Sequence, residues 1–211
     1  MPIRTHFKPD TDTEIAIWDV TESEVALMRY SKPTPGESDR LKAMCEKRRR
    51  EWLGIRCCLK HLDIREKIHY TPRGKPYLES RRHISISHAC GQVALIVSRD
   101  QRVGIDIEKV REKTVGLASK FANESEQKFI PDCKKWDYLH IIWGAKESLY
   151  KIWGGQRFVS FRNHMFVKPF AISEKGGLQC RVKDEVSSEN ADGFYRRIEG
   201  VYVVYCTAVE R

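Results

Sequence analysis

The chain has 211 residues, enough for one large domain or two small lobes with a buried core. An apolar fraction of 41% and a charged fraction of 32% exclude a disordered chain, and no run approaches the roughly 18 apolar residues that span a bilayer. The formal net charge of +9 predicts a negative ligand or partner: nucleic acid, anionic lipid, a polyphosphate or an acidic protein.

The stretch from Met1 to Pro9 lacks the apolar segment of a secretory signal, so the cytoplasm is the expected address. The seven cysteines include the adjacent Cys57 and Cys58 and no C-x-x-C pair. That pattern predicts buried structural thiols rather than a disulfide framework or a zinc site.

Glu14 to Trp18 alternates enough for a first strand. After the turn-rich Ser31 to Gly36, a long helix is predicted from about Ser38 to Leu62, with Ser38 as N-cap and a broken apolar stripe from Leu41 to Leu59. Thr71 to Tyr77 reads as a loop from its Pro and Gly content. His83 to Ser87 alternates with period two, Val93 to Val97 is continuously apolar, and Val103 to Glu108 is a further strand. A short helix is predicted from about Ser119 to Phe129, ending before Pro131, and a longer one from Trp136 to Ile152, stopping at Gly154-Gly155. The last quarter reads as β-structure, with turns at Lys175-Gly176-Gly177 and near Gly193 and its strongest strand at Val201 to Tyr205. Each half gives a helix and several strands, with a seam near Asp100 to Arg102. The expected fold is therefore α+β, two similar lobes packed together, divided as residues 1–102 and 103–211.

Two segments carry chemistry. In Gly104-Ile105-Asp106-Ile107-Glu108, positions i and i+2 of a strand share a face. Asp106 and Glu108 then point together while Ile105 and Ile107 face the core. Two carboxylates on one face repel unless a cation sits between them, and magnesium takes such oxygen ligands; the bland alternative is a solvated acidic edge. In Trp143-Gly144-Ala145-Lys146-Glu147-Ser148-Leu149-Tyr150-Lys151, Glu147 and Lys151 stand at i and i+4 on one helix face. Alone that is an ordinary surface ion pair. Together the segments supply three carboxylates and a lysine, a set suited to a metal–phosphate centre.

These two segments, in this order, resemble the paired signature of the 4′-phosphopantetheinyl transferases, a G-[IV]-D strand followed by a W-x-x-K-E-[SA]-x-x-K helix. Gly74-Lys75-Pro76 and Ile84-Ser85-Ile86-Ser87-His88 resemble motifs of the larger, surfactin-synthetase-activating (Sfp-type) branch. The resemblance covers about residues 45–155. The length agrees with that branch, a pseudo-dimer of two α+β lobes with one site between them, rather than with the half-sized trimeric holo-acyl-carrier-protein synthases.

The resemblance implies a set of roles. Asp106, Glu108 and Glu147 would hold magnesium, or manganese, with the pyrophosphate of coenzyme A. Lys151 would contact the phosphate in transfer or the leaving group. Ser87 and His88 would bind coenzyme A phosphates, and Gly74, Lys75 and Pro76 would lie against the adenine. In the basic run, Arg50 first and Lys47 second would reach the 3′-phosphate. Glu147 would be the base for the carrier serine, with Asp106, Glu147 and Lys151 as the catalytic set. Ser85 and Ala89 stand where the branch has Asn and Ser, which removes hydrogen-bonding groups beside the phosphates.

The implied activity is Mg-dependent transfer of 4′-phosphopantetheine from coenzyme A to a serine of an acidic apo acyl or peptidyl carrier protein, by a monomer, with no nucleic acid or membrane partner. Around Val115 to Phe121 the resemblance implies carrier docking, although Leu117 and Phe121 also suit a core. The rival readings are a nucleic-acid-binding module, suggested by the charge with five Trp and eight Tyr, a catalytically silent coenzyme A-binding relative, and a two-metal nuclease or phosphatase.

Overall fold

The computed structural model describes residues 3–111, 116–153 and 159–209. Strands β1 (Ile3–Phe7) and β2 (Thr13–Asp19) open the chain, followed by helices α1 (Glu24–Ser31), α2 (Pro35–Lys42) and α3 (Glu46–His61). A small hairpin, β3 (His69–Tyr70) with β4 (Pro76–Tyr77), precedes β5 (His83–Ala89) and β6 (Gln92–Ser98). The first sheet has the order β1-β2-β6-β5 and is antiparallel throughout.

The expected single helix over residues 38–62 is two helices. Thr34 and Glu37 form a reciprocal capping box with Pro35 in the first turn, a stronger start than Ser38. The chain leaves the helical conformation at Cys45 (φ −67°, ψ 157°), and Arg49 bridges the break by donating to the Met44 carbonyl and to Glu24.

The second sheet begins with β7 (Gln101–Lys109). Helices α4 (Ala118–Phe121), α5 (Glu124–Phe129), α6 (Lys135–Trp153) and α7 (Phe161–His164) follow, then β8 (Met165–Val167), β9 (Lys175–Lys183), β10 (Ser188–Ile198) and β11 (Val201–Val209). Its order is β7-β11-β10-β9-β8, again antiparallel. The predicted helix stop at Gly154-Gly155 lies outside the described residues.

The predicted turns at Gly176 and Gly193 are strand interior. A Cβ on Gly176 would stand 2.7 Å from the Tyr195 hydroxyl, and one on Gly193 would meet Cys180 Sγ at 3.1 Å. These glycines make room for neighbouring side chains rather than reverse the chain. The β10–β11 reversal is Glu199-Gly200, with φ of 45° and 81°, the pair of positive angles that tight hairpins require.

Period-two alternation explains the layering. Ala16 and Trp18 of β2 pack toward α3, while Ile15 and Ile17 face the second sheet and meet Ile105, Ile107, Val203 and Tyr205. The two sheets therefore pack face to face with helices outside, α3 on the first and α6 on the second. With both faces covered, Val93 to Val97 reads as a continuous apolar run. Cys57, Cys58, Cys180 and Cys206 are the expected buried thiols, but Cys45, Cys90 and Cys133 are exposed, a correction to the all-buried reading.

β7 is an edge strand of its own sheet, so its outer N–H groups need partners from elsewhere. Ser85 Oγ accepts from Ile105 N (3.1 Å) and Ser87 Oγ from Ile107 N (3.3 Å). Ser85 is thus a buried staple between β5 and β7. Ser85→Ala leaves the Ile105 N–H without this acceptor and is expected to cost about 1–3 kcal/mol in urea denaturation.

Candidate active site

Close backbone approach sets the site. A Cβ on Gly104 would lie 1.9 Å from the Ser148 carbonyl oxygen, and one on Gly144 would meet Val204 at 2.7 Å and Asp106 Oδ2 at 3.7 Å. Only glycine at both positions lets α6 lie this low across β7 and β11. The helix then carries Glu147 and Lys151 over the strand that carries Asp106 and Glu108.

Asp106 is 6% exposed. Its Oδ1 accepts from Ser87 Oγ (2.9 Å) and Lys151 Nζ (3.0 Å), while its Oδ2 is buried with no hydrogen-bond partner. Lys151 Nζ also donates to the Ile105 carbonyl at 2.5 Å. The lysine therefore pairs across to the strand, with the carboxylate 45 residues upstream.

Burial raises the Glu147 pKa to about 7, with Asp106 and Glu108 adding to the rise and Lys151 opposing it. Glu108 is raised as well, by burial and then by Asp106. The three carboxylates thus feel one another's charge. An orphaned buried oxygen and an all-oxygen donor set fit a hard divalent cation. Among the described residues no three Asp, Glu, His or Cys side chains are arranged so that they could together hold a metal ion.

A cavity of about 270 Å³ opens beside this cluster, between the Gly74-Lys75-Pro76 turn and the face of α6 bearing Tyr150 and Lys151. Gly74, at φ +81°, closes the turn by donating to the Thr71 carbonyl at 2.8 Å. Lys75 Nζ donates to the Ile152 carbonyl (2.8 Å), a cation on the C-terminal end of a helix. Burial, then Arg102, lowers its pKa.

His88 lies at the other end of the site. Arg48 Nη1 donates to its Nε2 at 3.0 Å, and its Nδ1 faces Glu51 Oε1 at 3.5 Å, an arrangement for the neutral ring. Burial depresses its pKa, and Arg48, Lys151 and Lys47 act the same way against Glu51.

The structure gathers Asp106, Lys151 and Ser87 in one hydrogen-bonded group and places Gly74, Lys75, Pro76 and Lys151 around one cavity. Ser87 spends its hydroxyl on Asp106 and on the β7 backbone. Arg50 turns away and donates to the Val20 carbonyl at 2.9 Å, and Lys47 is exposed, 4.0 Å from Glu51. Arg48 is the member of the basic run that reaches His88, and sequence reasoning missed it. Its i, i+3 spacing to Glu51 is the signal that could have found it.

Arg111 was also missed. Its N–H donates to His140 Nε2 (2.9 Å), its guanidinium reaches Cys90 Sγ (3.1 Å), and its charge opposes the rise that burial and Asp106 impose on the Glu108 pKa. No local pattern announces it, because the β5–β6 turn brings Cys90 there. Of the docking segment, Phe121 is buried against Trp143 and Leu117 is exposed, while Val115 lies outside the described residues.

Residues 102–199 match the model of the 4′-phosphopantetheinyl transferase superfamily. The chain is 33% identical over 84 residues to a 4′-phosphopantetheinyl transferase of Bacillus subtilis, an alignment covering 37% of each protein. It is 28% identical over 116 residues to the 4′-phosphopantetheinyl transferase AcpT of Escherichia coli O157:H7, covering 51% of this chain and 60% of that protein. The matches thus span less than two thirds of the length of either relative. They support the superfamily for the half of the chain that carries β7, α6 and all three carboxylates.

Proposed function

We propose that this protein is an Sfp-type 4′-phosphopantetheinyl transferase that moves the phosphopantetheine arm of coenzyme A onto a serine of an apo acyl or peptidyl carrier protein. The observation that carries this reading is the buried Asp106, with Lys151 on one oxygen and nothing on the other. The carrier serine oxygen attacks the β-phosphorus of coenzyme A. The bond from that phosphorus to the bridging oxygen breaks, and 3′,5′-adenosine diphosphate leaves. Glu147, with its pKa near 7, takes the serine proton, directly or through water. Lys151 neutralises charge on the transferring phosphoryl oxygens, and positioning supplies most of the remaining rate. Asp106, Glu108 and Glu147 would hold magnesium or manganese, which when bound neutralises pyrophosphate charge.

His88 and Arg48 supply the 3′-phosphate end of the site, and the Gly74-Lys75-Pro76 turn supplies the adenine end. The net charge of +9 favours an acidic carrier by steering. The protein works in the cytoplasm as a monomer, without nucleic acid or a membrane.

Arg48→Ala is expected to raise KM for coenzyme A about tenfold with kcat little changed, since it removes one charge-assisted phosphate contact. The reading is tested by following products: with coenzyme A and an apo carrier, 3′,5′-adenosine diphosphate should appear in step with holo carrier. Release of inorganic phosphate, or cleavage of nucleic acid, would instead support a metal-dependent hydrolase.

A further inference from the structure

A further cavity lies away from these residues. It holds about 410 Å³ between the C-terminal ends of α1 and α3, within the range of small-molecule sites. Its apolar wall is Leu59, Ile64 and Ile68, and Lys67 is among the basic residues that line it.

Two of its lining residues carry buried polar atoms without partners, Arg56 Nη1 and Ser31 Oγ. Arg56 is only 8% exposed. Its guanidinium carbon stands over Trp52, 3.3 Å from the ring centroid, a cation–π contact that holds the group in place. Its Nε pairs with Glu37 Oε1 at 3.6 Å and Tyr70 is a further hydrogen-bonding neighbour, which leaves Nη1 as the nitrogen without an acceptor. A buried guanidinium N–H without an acceptor carries an unmet demand for one. Glu66 gives no relief, because it bonds Arg82 and the Ser80 backbone.

We propose that this cavity is a second binding site, for a small carboxylate monoanion with an apolar body. The carboxylate would sit on Arg56 and Ser31, and the body against Leu59, Ile64 and Ile68. One orphaned N–H and one hydroxyl suit a carboxylate, and with Glu37 already paired to Arg56 a dianionic phosphate would bring still more negative charge beside it.

The test titrates octanoate into the full chain by calorimetry, with octanol and inorganic phosphate as controls, and follows methyl NMR shifts. Saturable octanoate binding is expected, tighter than octanol, with shifts centred on Leu59, Ile64 and Ile68. Arg56→Met, whose fold is checked by circular dichroism, is expected to weaken octanoate about tenfold or more. Absence of saturable binding, unchanged affinity in folded Arg56→Met, or phosphate binding as tightly as octanoate would overturn the proposal. Should Arg56→Met fail to fold, Lys67→Glu at the rim decides: a several-fold weaker octanoate affinity supports the site, and an unchanged one overturns it.

Discussion

Lys146→Met is expected to destabilise the protein by about 3–5 kcal/mol, a large share of the total stability of a typical domain. Lys146 is wholly buried and donates to Glu126 Oε2 (2.6 Å) and to the carbonyls of Phe121 (2.8 Å) and Phe161 (2.9 Å). Glu126, equally buried, accepts from the N–H groups of Asn123 and Val167. One ion pair thereby ties α4, α5, α7 and β8 to the helix that bears Glu147. Methionine fills the space but leaves a buried carboxylate unpaired and removes a donor from two carbonyls. Adding Glu126→Gln should recover part of the loss, because the neutral amide no longer needs a counter-charge. Urea denaturation of the two single variants and the double variant measures this coupling. Additive single losses would show that the pair is not the source of the cost.

Glu147→Gln should abolish transfer while stabilising the metal-free protein at alkaline pH. Burial, chiefly, and Asp106 lift the Glu147 pKa to about 7, above its unfolded value near 4.5. A folded acid with a raised pKa binds more protons than the unfolded chain between those two values, so stability falls as pH rises through that window. Above about pH 7 the whole penalty is present. Removing the charge should return roughly 1–3 kcal/mol at pH 8 and almost nothing below pH 4.5. Thermal unfolding of both proteins across pH 4.5–8.5 in EDTA measures the difference. Parallel profiles would mean that Glu147 is not held in this environment. The expected gain in stability with loss of activity is the usual cost of a strained functional site.

Much of this site was legible in the sequence for a local reason. Period two placed Asp106 and Glu108 on one face of β7, and period 3.6 placed Glu147 and Lys151 on one face of α6. Their convergence came from the resemblance, and the physical device behind it is steric: Gly104 and Gly144 admit the helix to the strand. Other features depended on distant partners. Ser85, which stands where the branch has Asn, has a further role that no local pattern shows: it bonds the unpaired edge of β7. The same limit applies to the basic run, where the sequence singles out Arg50 and Lys47 for the 3′-phosphate while Arg48 is the member that reaches His88 and Arg50 bonds the Val20 carbonyl. Gly176 and Gly193 misled in the opposite direction, since a glycine that relieves crowding within a sheet looks in sequence like one that makes a turn.

Mass spectrometry of a panel of apo carrier proteins, incubated with this protein, coenzyme A and magnesium, tests the central claim most directly. The expected result is a gain of one phosphopantetheine on at least one carrier, lost with EDTA and lost with Asp106→Ala of unchanged fold. No gain on any carrier despite measurable coenzyme A binding, or full activity in Asp106→Ala, would contradict it.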